Sequence, residues 1–133
     1  VKTVSLKTSR REELVDLTDE VRRFLRETAE GEDGAVLIFC PHTTAGVFIN
    51  EGDDPDVGYD ILETMRKIVP DRAGYRHLEG NAHAHIRSVL TGQSCLVPVH
   101  QGMMALGTWQ HIFFAEFDGP RQRRVFLQFL RAR

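Results

Sequence analysis

The sequence predicts a single α+β domain, built on a mainly antiparallel sheet that could close or nearly close into a barrel. Three observations predict it. Short segments alternate apolar and polar residues, and several follow one another with no helix between them. Three other stretches space their apolar residues three and four apart. The 133 residues are enough for one domain, residues 1–133, and too few for two ordinary ones. Strands in runs with few helices fit α+β better than a regular parallel alternation.

The elements follow in order. Val1 to Thr8 alternates, with Val4 and Leu6 on one side and Thr3, Ser5 and Lys7 on the other. It reads as a half-buried strand, with Glu12 to Leu17 as its hairpin partner. Thr18 is placed to cap a helix whose stripe is Val21, Phe24 and Leu25, with Arg22, Arg23 and Arg26 outside. The glycines from Gly31 to Gly34 end it. Ala35 to Cys40 is wholly apolar and predicts a central strand buried on both faces; Gly46 to Asn50 is the next strand. Asp54 caps a second helix, with Pro55 at its first position and Asp56 complementing the dipole. Ile61, Leu62, Met65 and Ile68 are its predicted buried stripe, and Pro70 stops it. Ala82 to Leu90 predicts a third helix buried through Ile86, Val89 and Leu90, with Gly92 as terminator. Three strands close the chain: Ser94 to Val99, Trp109 to Phe117 and Arg124 to Leu130. In the last, Val125, Leu127 and Phe129 alternate against Arg124, Phe126 and Gln128. Trp109, Phe113, Phe114 and Phe117 are expected in the core.

Composition narrows the function. A net charge of -2 gives no general basic field, so a nucleic-acid partner is not expected. No apolar run approaches the roughly 20 residues of a membrane span, and Val1 to Arg11 does not read as a signal peptide, so a cytoplasmic location is expected. Cys40 and Cys95 lie far apart in apolar runs, without a CxxC pair, and read as buried structural thiols.

Four polar patches carry the candidate chemistry. His42, Thr43 and Thr44 follow the apolar strand and precede Gly46, where they can offer hydroxyls, N–H groups and an imidazole to a ligand. Asn50, Glu51, Asp53 and Asp54 bring an amide and three carboxylates together, suited to a hard cation or to acid–base work. A tight turn between the two strands would bring Glu51 to the same sheet end as His42, where a carboxylate can orient an imidazole. The third patch holds His77, Asn81, His83 and His85. With His42 these histidines are candidate ligands for a divalent ion, Zn²⁺ or Mg²⁺, with His42, His77 and His85 as the set. The spacing lacks an HExxH pattern, and solvated histidines explain it equally well. The fourth patch runs from Gly107 to His111 and from Glu116 to Arg121, where Arg121 is a natural anion clamp.

Together these patches resemble the YjbQ-like family, also called the secondary thiamine-phosphate synthase family. The residues that carry the resemblance are His42-Thr43-Thr44-Ala45-Gly46-Val47-Phe48-Ile49-Asn50-Glu51 with Asp54-Pro55-Asp56-Val57, and His77-Leu78-Glu79-Gly80-Asn81 with Ala84-His85-Ile86. Gly107-Thr108-Trp109-Gln110 and Glu116-Phe117-Asp118-Gly119-Pro120-Arg121 complete it, in order, from about Val4 to Phe129. The resemblance implies a compact α+β fold assembled as a homotrimer. It also implies that a hydroxymethylpyrimidine diphosphate is joined to a thiazole phosphate with release of pyrophosphate. His83 stands where an acidic or small residue is expected, so its role is open.

On that reading His42, Glu51, His85 and Glu116 are the candidate catalytic residues. Thr43, Thr44, Asn50, Asn81 and Arg121 are candidate substrate contacts. Asp53 and Asp118 join Glu51 and Glu116 as candidate cation or acid–base groups, and Arg76 and Arg87 join Arg121 as candidate phosphate partners. Two alternatives compete with the synthase: a metal-dependent hydrolase using His42, His77 and His85 with Glu51 or Glu116 as base, and a non-catalytic metabolite-binding module.

Overall fold

A computed structural model describes residues 1–133. The element order is β1 (Lys2–Lys7), β2 (Glu13–Asp16), α1 (Thr18–Thr28), β3 (Gly34–Phe39), β4 (Ala45–Glu51), α2 (Pro55–Ile68), α3 (Ala82–Thr91), β5 (Ser94–His100), β6 (Met103–Met104), β7 (Gln110–Glu116) and β8 (Gln122–Arg131). The strands form two antiparallel sheets, β1-β8-β3-β5-β6 and β2-β7-β4. They curl around a shared core that includes Val36, Ile38, Val47, Val97, Phe114 and Leu127, giving a half-barrel closed by the helices. The α+β class, the antiparallel sheet and the helix count are as the sequence predicts. The two-residue strand β6 is additional and carries too few residues for a periodic signal.

Pairing departs from the hairpin expectation. β1 pairs with the last strand, Val4 opposite Val125, while β2 pairs with β7, Val15 opposite Phe114. Alternation marks a strand's two faces but says nothing about its neighbour. Strand β3 is central, between β8 and β5, yet it is not buried on both faces. Val36 and Ile38 are fully buried, Ala35 and Leu37 partly, and Phe39 is exposed.

Helix α1 buries Val21, Phe24 and Leu25 as expected. Each such side chain contributes about 1.5–3 kcal/mol on leaving water. Its cap differs: Leu17 is the N-cap and Thr18 is the first helical residue. Asp16 Oδ1 accepts from Thr18 N at 2.9 Å and from Thr18 Oγ1 at 2.6 Å, and Ile112 N donates to Thr18 Oγ1. The threonine hydroxyl thus ties the helix start to β7 instead of capping.

Helix α2 begins as predicted, with Asp54 Oδ1 accepting from Asp56 N at 3.0 Å and Pro55 in the first turn. No residue of α2 is fully buried, however, and Ile68 is exposed. Helix α3 departs further. Its buried residues are His83, Ala84, Arg87 and Ser88, while Ile86, Val89 and Leu90 are exposed. Trp109 is also exposed, in the turn before β7, whereas Phe114 and Phe117 are buried and Phe113 is partly buried. Cys40 is buried and Cys95 partly buried; burial raises both thiol pKa values, that of Cys95 to about 11.

Candidate functional site

The chain leaves β3 at Phe39 and crosses to the other sheet through Cys40-Pro41-His42-Thr43-Thr44 before β4 starts at Ala45. Gly46 is not a flexible turn residue. It lies in β4, where a Cβ would stand 2.6 Å from the Gly92 carbonyl oxygen, and Val47 N donates to that oxygen at 3.1 Å. Only glycine lets this strand meet the end of α3 so closely. The start of α3 supplies Asn81 and His85, and the loop after β7 supplies Asp118 and Arg121. With His42, Thr43, Thr44, Glu79 and Arg123 these residues line one polar cleft of about 370 Å³.

The floor of the cleft is a buried ion pair. Arg123 and Glu116 are almost fully buried, and Arg123 donates to both Glu116 oxygens, through Nε at 2.9 Å and through Nη2. Arg123 Nη2 also donates to Thr44 Oγ1 at 2.9 Å. Thr8 Oγ1 donates to Glu116 Oε1 at 2.7 Å, and Asp118 N donates to Glu116 Oε2 at 3.1 Å. Arg121 N in turn donates to Thr8 Oγ1. One carboxylate therefore sets the Thr44 loop and the Asp118–Arg121 loop together. Burial alone would raise the Glu116 pKa, but the hydrogen bonds from Arg123, Thr8 and Asp118 N outweigh it and hold the carboxyl below its usual range. Such a group is an anchor rather than an exchangeable proton store.

His42 is half-buried, and Arg124 N donates to its Nε2 at 3.0 Å. Burial lowers its pKa, and the positive charges of Arg123 and Arg124 lower it further. With Nε2 accepting from Arg124 N, the neutral ring carries its proton on Nδ1. His85 lines the same cleft, and His77 packs edge-on against it with ring centroids 5.2 Å apart. The three histidines are thus in one region. Nevertheless, no three His, Cys, Asp or Glu side chains anywhere in the chain are grouped as a metal ligand set.

The structure brings together His42, Thr43, Thr44, Asn81, His85 and Arg121, and carries Asn50 and Glu51 elsewhere. β3 and β4 do not form a hairpin: β3 pairs with β5 and β8, β4 with β7. His42 precedes the seven-residue β4 and Glu51 ends it. At about 3.3 Å per residue the two stand at opposite ends of the strand. The expected His42–Glu51 pair is therefore corrected. Glu51 Oε2 accepts from Asp53 N, and Asn50 Oδ1 from Glu51 N. Glu51 lines a second, acidic cleft with Glu12, Glu13, Asp16 and Asp54. Beside it, Asp53 and Asp16 hold His111 between two carboxylates, at 2.8 and 2.6 Å, and these hydrogen bonds raise its pKa.

Among the other candidates, Arg76 is exposed on the loop before α3. Arg87 is no free phosphate partner: it is fully buried and donates to the Val69 carbonyl and to Asp71. His83 is also fully buried. Arg11 Nη2 donates to its Nε2 at 3.2 Å, and burial lowers its pKa.

Sequence reasoning missed Arg123 and Glu79. A signal for Arg123 was present: it is in phase with inward-facing Val125, Leu127 and Phe129, as Glu116 is with Ile112 and Phe114. Two opposite charges at inward positions of two strands predict a buried pair.

A family model described as "UPF0047 protein YjbQ-like" matches residues 2–132. The chain belongs to the UPF0047 (YjbQ-like) family. It is 47% identical over 131 residues to the UPF0047 protein YugU of Bacillus subtilis, covering 98% of each chain. A UPF0047 protein of Archaeoglobus fulgidus is 50% identical over 129 residues, covering 96% of this chain and 98% of that one. Among solved structures, a YjbQ/UPF0047 family protein of Clostridium acetobutylicum superposes with a TM-score of 0.95 at 47% identity, covering 98% of this chain and all of that one. A YbjQ-like protein of unknown function from Sulfolobus solfataricus superposes at 0.91 with 32% identity, covering 96% and 94%. No helix of this UPF0047 chain is long and apolar enough to cross a membrane.

Proposed function

We propose that the cleft binds a small phosphorylated substrate and carries the transfer implied by the family resemblance, joining a pyrimidine diphosphate to a thiazole phosphate and releasing pyrophosphate. The observation that supports this is Arg123. Its Nε and Nη2 are fixed by Glu116 and Thr44, which leaves Nη1 unbonded in a residue that lines the cleft. Arg121 stands in the same wall, its Nε and Nη2 held on Asp118 at 2.7 and 2.9 Å. Guanidinium groups held in place before the ligand arrives stabilise a leaving pyrophosphate without reorganising. Neutral His42 and the Thr43 hydroxyl line the same cleft, and His85 is the candidate proton carrier.

No step is assigned to a metal, because the residues present do not group as a ligand set. Homotrimer formation belongs to the same proposal. Val89 and His42 line one neighbouring cleft, and Val89 and Leu90 are exposed apolar residues that a second copy would cover.

The test is turnover with stoichiometric pyrophosphate release, together with pyrophosphate binding by calorimetry. Arg121→Ala should weaken pyrophosphate about tenfold, the scale of one charge-assisted hydrogen bond. His85→Ala should abolish turnover with an unchanged Tm. Absence of any affinity for pyrophosphate or simple phosphate esters would sink the reading.

A further inference from the structure

The segment from His77 to Ala82, which leads into α3, runs between two cavities. Glu79 and Asn81 line the cleft described above, whereas His77, Gly80 and Ala82 line a second cavity of about 560 Å³. His77 packs against His85 of the cleft, so one pair of rings separates the two spaces. Ala73 and Gly74 keep the second cavity open, with room for more than an inorganic ion. Tyr75 forms part of its wall and donates through its hydroxyl to the Pro70 carbonyl at 2.6 Å.

The charge of this cavity comes from Arg11 and Arg72. Arg72 is exposed and enters no ion pair. Arg11 Nη2 donates to His83 Nε2 at 3.2 Å, which leaves its Nε and Nη1 without a partner. Arginine can only donate, so His83 Nε2 is an acceptor and the ring is neutral. This fully buried imidazole therefore positions the guanidinium without cancelling its charge, where a carboxylate would have paired with it. Asp71 stands 3.6 Å from Arg11, but it is already taken at 3.0 Å by the fully buried Arg87. The wall keeps an excess of positive charge. Guanidinium groups suit a phosphate, which they bind in a bidentate way. A reaction that joins two phosphorylated molecules needs two anion seats, and the cleft is one. Resting on that reading, we infer that the Arg11–Arg72 cavity is the second, a site for a small phosphate monoester whose organic part lies against Tyr75.

Equilibrium dialysis of the full chain against radiolabelled phenyl phosphate counts the sites. The unaltered chain should take up two equivalents. Arg72→Ala should weaken one of them about tenfold and Arg121→Ala the other; both positions are exposed, so Tm should not move. Lys67→Ala removes an exposed cation outside both cavities and should change neither. Two unweakened equivalents in Arg72→Ala overturn the inference. A single equivalent in the unaltered chain that Arg121→Ala weakens also overturns it, and leaves the cleft reading standing. A single equivalent that Arg72→Ala alone weakens keeps the second cavity and removes the cleft reading. An equal loss in Lys67→Ala reduces the binding to general charge attraction and overturns the inference. No uptake at all removes both readings.

Discussion

Helix α1 turns Val21, Phe24 and Leu25 into the core and keeps its arginines in water, whereas α3 turns His83, Arg87 and Ser88 inward and leaves Ile86, Val89 and Leu90 outside. Their starts differ as well. α1 has Asp19 and Glu20 in its first turn and is tied to β7 through Asp16, Thr18 and His111. α3 has no acidic residue in its first turn, and its N-cap side chain is diverted to Asp118. The first helix is a packing element, held by apolar burial. The second is held by polar bonds: Ser88 Oγ donates to the Ala45 carbonyl at 2.6 Å, and Arg87 to the Val69 carbonyl. The difference follows position. α1 covers the core of the half-barrel, while α3 lies along β4 beside the cleft, where polar side chains set loop positions and the apolar stripe faces outward.

The largest effects are expected at Leu25 in α1 and Arg87 in α3. Leu25→Ala should cost about 2–5 kcal/mol, the range for truncating a buried leucine. Arg87→Met makes α3 more apolar yet should cost about 3 kcal/mol, near the low end for breaking one side of a buried pair. The low end applies because Glu12 keeps Arg66, and Asp71 is half exposed. Chemical denaturation of both variants checks this. A neutral or more stable Arg87→Met would mean that α3 is an ordinary apolar helix.

His111 ties the start of α1 to β7 through a charge-dependent contact with Asp16. Hydrogen bonds to Asp16 and Asp53 raise its folded pKa above the ordinary value near 6.5. A raised folded value means that the stabilisation is complete below about pH 6.5 and fades as pH rises through the folded pKa. His111→Asn should therefore lower Tm clearly at pH 6 and much less at pH 9, an effect of about 1 kcal/mol or less for this partly exposed group. An equal loss at both pH values would remove the charge from the account. The α3 start should show the opposite dependence, because burial lowers the pKa of His83 in its first turn and protonating that ring costs stability as pH falls below about 6.5.

The smallest effect on folding is expected at Val89, 78% exposed on the outward stripe of α3. Val89→Ser should change the stability of the isolated chain by less than about 0.5 kcal/mol. Sedimentation at micromolar concentration should nevertheless show weakened self-association. A large loss of stability in a monomer would place Val89 inside the core instead.

The sequence by itself determined the elements and the patches. Local signals carried them: alternation in β1 and β8, the Asp54-Pro55 start of α2, the Gly92 end of α3, and runs of polar residues at strand ends. The cleft was legible to the extent that His42, Thr43, Thr44, Asn81, His85 and Arg121 sit in those runs. Tertiary structure alone decided which strands pair, which face of α3 is buried and which patches meet. β1 finds β8 across the whole chain, and Glu51 ends β4 away from His42 because β3 and β4 belong to different sheets. Tertiary structure also turned Arg123 from an unremarked strand residue into the buried partner of Glu116. The physical reason is range. Periodicity and capping act over a few residues, while sheet order and buried charge pairing depend on contacts between segments more than a hundred residues apart, such as Thr8 with Glu116.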